Sequence, residues 1–179
     1  MGLILLPNER PARYRLIHNF DLRLKFSDAH HKKVTENLTA AELLFENGHF
    51  DQTIDTLCNA LFHLMQSLLT LTGRQAHEFT DAMLLIKTIF IEQREEDTQL
   101  QSFLRDNPPL PSTVYSELNW IRKQRNAARY SPTTTSTEEN AKETITKVVY
   151  INDVLFPYIH RLYTYYQEQM QTPTLALDR

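Results

Sequence analysis

The sequence predicts an all-α protein, a mainly antiparallel bundle of about five helices. Three observations predict it. Long segments carry apolar residues at the three-and-four spacing of one helix face. Only three glycines occur in 179 residues, and two of them, Gly48 and Gly73, follow such segments where a left-handed C-cap belongs. Asn107-Pro-Pro-Leu-Pro111 supplies the one firm break between later segments. The expected organisation is an extended N-terminal arm over residues 1–26, the bundle over residues 27–171, and a tail over residues 172–179.

The arm is set apart by Pro7 and Pro11 and by alternation. Phe20, Leu22, Leu24 and Phe26 alternate with Asp21, Arg23 and Lys25, which is a strand-like period of two. Such a strand either lies on its own bundle or pairs with a second chain. The first helix is expected to start at Ser27 or Asp28, both good N-caps, and to stop before Gly48. Its stripe is Val34, Leu38, Ala41, Leu44 and Phe45. Asp28, His30 and His31 are ligand-type side chains. Adjacent helical residues point about 100° apart, however, so they read as solvated polar residues rather than a metal site.

The second helix is the clearest element. Asp51 can cap it and Gly73 ends it. Ile54, Leu57, Cys58, Leu61, Phe62, Met65, Leu68 and Leu69 fill an arc of roughly 140° at ~100° per residue. A helix so patterned belongs at the centre of a bundle. Cys58 lies on that arc and reads as an inert buried thiol. His63 lies outside it and reads as a surface or hydrogen-bonded histidine. Thr80 is placed to cap a third helix that is apolar nearly all round over residues 82–86 and 89–91. Such a helix is buried or sits at an interface. After a charged run over residues 92–97, Leu100, Phe103 and Leu104 make a short amphipathic turn.

A basic helix follows over about residues 112–130, with Val114, Leu118, Ile121 and Ala128 on its apolar stripe. Arg125 falls on the same stripe. An arginine there requires a partner, a subunit seam or a ligand. Arg122, Asn126, Arg129 and Tyr130 surround it. A last helix opens on a Ser136-to-Glu139 capping-box pattern. It carries Ile145, Val148, Val149, Leu155, Phe156, Ile159, Leu162, Tyr163 and Tyr166, and Pro157 should kink or split it.

Composition excludes several classes. One cysteine rules out an intrachain disulfide framework and a multi-cysteine zinc site. No apolar run approaches the ~20 residues of a membrane helix, and residues 3–6 are too short for a signal core. Leu6 stands where a myristoylation signal wants Ser or Thr. The expectation is an unanchored cytoplasmic protein. Residues 1–33 hold seven basic and three acidic side chains, a local excess of +4 that leaves −7 on the remainder. That balance argues against a general nucleic-acid binder and leaves room for a local basic site. There is no Gly-rich phosphate loop, no His-Glu-x-x-His and no Gly-x-Ser-x-Gly. The core stripes are almost free of carboxylates, which argues against a di-iron bundle. No cofactor or metal is implied.

Two stretches carry a resemblance. Gly48-His-Phe50-Asp-Gln-Thr-Ile54, leading into residues 57–62, is similar to the Gly-x-aromatic entry into the long apolar helix of the HEPN superfamily of small helical-bundle proteins. Arg125-Asn126-Ala-Ala-Arg129-Tyr130 resembles that family's signature. The resemblance covers about residues 27–166. In the family's ribonuclease branch, Arg, usually followed by Asn, precedes a His, and both meet their symmetry mates across a dimer to cut RNA. Here Tyr130 stands where that His is expected, and no histidine occurs between His77 and His160. With a reference pKa of ~10, tyrosine is a poor general base near pH 7. The pattern is closer to a branch ending Arg-x-x-Ala-Asp-Tyr, with Arg129 in place of the Asp. Some members of that branch accompany nucleotidyltransferases or toxins, as in toxin–antitoxin pairs.

The resemblance therefore implies a non-catalytic binding or assembly module, with Arg122, Arg125, Asn126, Arg129 and Tyr130 as an anion- or nucleotide-binding patch. The alternative is a degenerate ribonuclease acting on RNA at a dimer interface, using Arg125, Asn126 and Tyr130. A homodimer is expected in either case, with a nucleotidyltransferase, another protein, RNA or a nucleotide as partner.

Overall fold

The computed structural model describes residues 2–4, 12–130 and 135–171. The predicted tail over residues 172–179 lies outside them. Six α-helices and one small sheet make up the described chain.

The N-terminal segment departs from expectation. β1 (Gly2–Ile4) and β2 (Ala12–Leu16) are strands, but α1 (Phe20–Glu46) starts seven residues before Ser27. The alternation over residues 20–26 is therefore not a strand. Asn19 is the N-cap, its side chain accepting from the Leu22 N–H at 3.0 Å. The true stripe is Phe20, Leu24, Ser27 and Val34. Phe20 packs edge-on against Tyr166, whereas Leu22, the residue that completed the alternation, is exposed. Ser27 caps nothing. It is buried against α2 (Phe50–Leu71), its hydroxyl 2.9 Å from that of Ser67.

The sheet answers the question of the arm's partner. β2 pairs antiparallel with β1 on one side and with β3 (Arg74–Ala76) on the other, with Tyr14 opposite Ala76 and Leu16 opposite Arg74. The arm thus lies on its own bundle. Gln66 of α2 holds β3 from both directions: its Nε2 donates to the Ala76 carbonyl at 2.7 Å and its Oε1 accepts from the Ala76 N–H at 3.1 Å.

Of the 22 residues of α2, 14 are buried, and α1, α6 and α5 pack round it. Fully burying one of its leucines stabilises the fold by about 1.5–3 kcal/mol, so α2 is the core's main contributor. Its N-cap is His49 without a side-chain bond. Asp51 lies in the first turn and accepts from the Ser136 N–H instead of capping α2.

α3 (Phe79–Ile86) begins after Glu78, not at Thr80, and runs into one wide turn over Lys87–Ile91. Its side chains are buried within the single chain, so this helix leaves no apolar face uncovered. α4 (Thr98–Asp106) is a full helix capped by Asp97, where a single turn was expected. After the prolines comes α5 (Ser112–Tyr130), with the bounds expected of the basic helix. α6 (Glu138–Gln171) runs unsplit through Pro157, since buried Leu155, Tyr158 and Ile159 hold both sides of that turn to the core. Its cap is Thr137 with Asn140 rather than Ser136 with Glu139: each of the two donates its backbone N–H to the other's side-chain oxygen.

Both capping glycines hold left-handed φ, +76° at Gly48 and +78° at Gly73, a conformation that costs other residues about 1–2 kcal/mol. They differ in surroundings. A Cβ at Gly48 would meet nothing, whereas one at Gly73 would stand 2.7 Å from the Arg23 guanidinium. That guanidinium is held by the Ile17 carbonyl at 2.8 Å and by the Phe20 ring at 4.5 Å. Gly73→Ala is therefore expected to destabilise more than Gly48→Ala, by about 1.5–3 kcal/mol, the scale of a charged hydrogen bond. In an Arg23→Ala background the difference should vanish. Urea unfolding of the four variants measures this.

Candidate functional site

α5 runs past the first turns of α2, and its arginines meet a carboxylate there. Arg125 Nε donates to Asp55 Oδ1 at 2.8 Å. Arg129 grips both oxygens of the same group, Nε to Oδ1 at 2.6 Å and Nη2 to Oδ2 at 2.7 Å. Arg125 Nη2 reaches Asn59 Oδ1 at 3.3 Å. Burial alone would lift the Asp55 carboxyl, but hydrogen bonds from Arg129 and Arg125 outweigh it and hold the group below its ordinary range. The hydrogen bond to Asp55 raises Arg129 in turn, with Tyr130 adding to it. Two guanidiniums thus face one carboxylate, and Asp51 stands on the same cleft.

The cluster is not sealed. The Arg125, Asp55 and Arg129 side chains keep 21%, 29% and 39% of their exposure. Asp55 and Arg129 line a cleft of about 410 Å³ together with Leu44, Asp51, Gln52, Thr56 and Ala128.

Of the five residues that the sequence nominated, the structure joins Arg125 and Arg129 directly, with Tyr130 beside Arg129 and largely exposed. Asn126 is exposed on another side of α5, and Arg122 donates to Asn119 of its own helix at 3.0 Å. The residues that sequence reasoning missed are Asp55 and Asn59. Their signal was present: two polar side chains one turn apart, outside the apolar arc of the central helix. Cys58, next to them in sequence, is fully buried, and burial pushes its thiol up to about 12.

The histidines lie apart from this cluster. His63 pairs with His30 of α1, Nδ1 to Nδ1 at 2.9 Å, so one ring donates and the other accepts. His31 packs on Phe156, and Asp28 accepts from the Tyr163 hydroxyl at 3.3 Å. The three ligand-type residues of α1 thus turn to three different neighbours. His160 lines a cleft with Phe103, Asn107 and Arg161. Among the described residues no three of His, Cys, Asp or Glu are grouped as metal ligands, and no helix is long and apolar enough to cross a membrane.

With the bundle and its arginine cluster described, the family follows. The family model for the HEPN domain matches residues 29–155, and the chain belongs to the HEPN family. No match to a curated protein is found.

The histidine pair makes a pH-dependent prediction. Burial, with the neighbouring His63 and Lys33, lowers His30 from 6.5 to about 4. Burial and Lys33 lower His63 as well, with Glu36 opposing. The folded protein keeps these rings neutral where the unfolded chain takes up protons. Stability should therefore be full above pH 6.5 and fall as the pH drops toward 4. A His30→Gln, His63→Gln double variant should show a flatter decline over that window. Chemical denaturation at a series of pH values reads the difference.

Proposed function

We propose that this HEPN chain is a non-catalytic binding module whose Arg125–Arg129 pair accepts an anionic ligand, a nucleotide or RNA. One observation carries the reading: two guanidiniums converge on a single carboxylate at the edge of an open cleft. Guanidinium forks offer bidentate contacts to phosphate. Arg122, seven residues before Arg129 on the same side of α5, is half-buried. The reading includes a homodimer, supported by Val149 and Phe156, which stand exposed seven residues apart on α6. A protein partner such as a nucleotidyltransferase is part of the same proposal.

Catalysis is disfavoured by chemistry. Metal-independent RNA cleavage needs a group that titrates near neutrality beside the phosphate. Tyr130 occupies the signature position, and within the chain His63 is engaged with His30.

The test compares the parent with Arg125→Ala and Arg129→Ala. Labelled RNA and nucleotide binding should fall about 10- to 100-fold in each variant, matching the ~1.5–3 kcal/mol of a charged hydrogen bond. Thermal midpoints should move little, because the pair is partly exposed. The same incubations should show no cleavage. Cleavage by the parent that disappears in Arg125→Ala would overturn the non-catalytic reading in favour of a degenerate ribonuclease.

A further inference from the structure

Adjacent histidines on one helix diverge, but His30 of α1 and His63 of α2 come from neighbouring helices and converge. Their Nδ1 atoms stand 2.9 Å apart and their ring centres 5.2 Å apart. A metal ~2.05 Å from each nitrogen, with a tetrahedral angle of ~109° between them, places the ring centres ~5.2 Å apart and the nitrogens ~3.3 Å apart. The two helices therefore already hold the rings at chelating distance. Turning each ring by ~35° about its centre swings both Nδ1 lone pairs onto the metal, and the outer torsion of histidine is soft. The backbone of the seam is fixed nearby. Ser27, one turn before His30, and Ser67, one turn after His63, are buried with their hydroxyls 2.9 Å apart. Both histidines are only half-buried, so the remaining coordination positions open to water. Of the charged neighbours, Lys33 acts against a cation at the pair and Glu36 acts in its favour.

We propose that His30 and His63 chelate one divalent transition-metal ion, which bridges α1 to α2. Imidazole nitrogen suits zinc, nickel and copper, whereas magnesium and calcium take oxygen ligands. In the hydrogen-bonded pair one Nδ1 carries a proton. On binding, that ring takes its other tautomer, with the proton on Nε2. Both Nδ1 atoms then donate lone pairs, and no net proton is released. Water fills the rest of the coordination shell and leaves exchangeable positions on the ion. The two histidines lie 33 positions apart in the chain, so only the folded protein presents the pair, and binding stabilises the fold.

The experiment is titration calorimetry of the full chain, without an affinity tag, with Zn²⁺ and with Ni²⁺ near neutral pH. The parent should bind one ion per chain. Its thermal midpoint should rise on saturation and return when EDTA is added, and Mg²⁺ should do neither. His30→Gln and His63→Gln should each weaken binding at least ~10-fold. His31→Gln and His160→Gln, which alter histidines outside the pair, should bind as the parent does. Copper supplies a readout on the unaltered chain, should a variant fail to fold: the electron paramagnetic resonance spectrum of the Cu²⁺ adduct should show coupling to two imidazole nitrogens. Absence of saturable binding by the parent, equal affinity in the parent and both pair variants, or a copper spectrum with fewer than two imidazole nitrogens would overturn the proposal.

Discussion

The burial of α2 is the constraint on which the rest of the structure depends. A helix with most of its residues inside has to satisfy its polar side chains there, because an unpaired buried polar group is costly. Each of those groups takes a different neighbour. Ser67 is bonded to Ser27 and so fixes α1. Gln66 is bonded twice to Ala76 and so fixes β3, and through it β2. Asp55 and Asn59, on the partly open first half of the helix, take Arg125 and Arg129 and so fix the end of α5. Apolar packing supplies the driving force, and these few bonds contribute register.

The small sheet follows from the same arrangement. A three-residue strand at the end of α2 exposes ladder groups, and β2 covers them. Its position is locked from the far side, where the Arg13 N–H donates to fully buried Asp81 at the start of α3. Arg23 then closes the corner between the sheet and α1, lying against Gly73 and under the Ile17 carbonyl. The N-terminal segment is thereby part of the domain's own packing.

At the functional site, the fold sets two requirements against each other. Arginines at the edge of a packed helix pair need counter-charge, and Asp55 provides it. The anion site proposed above adds a second requirement, a guanidinium beyond the one Asp55 neutralises, and the second arginine on that carboxylate supplies it. The cluster serves both because one carboxylate faces two arginines. The histidines sit elsewhere, with His30 and His63 devoted to the seam between α1 and α2.

Much of this was legible in the chain itself. The apolar arc of α2, the glycine caps, the limits of α5 and the burial of α3 follow from periodicity and local backbone preference, which act over a few residues. Where two local patterns competed, the sequence was ambiguous. Residues 20–26 alternate like a strand and also carry Phe20, Leu24 and Ser27 at helical spacing. Packing against Tyr166 and capping by Asn19 selected the helix. Arg125 stood out because a charge on an apolar stripe demands a partner, but the partner lies 70 positions away. Nothing local to either residue encodes that pairing. The sequence by itself determined the helices, their buried faces and the need for a counter-ion. Only the tertiary structure decided which carboxylate answers that need, because a salt bridge between distant residues exists only after the helices that carry them have packed.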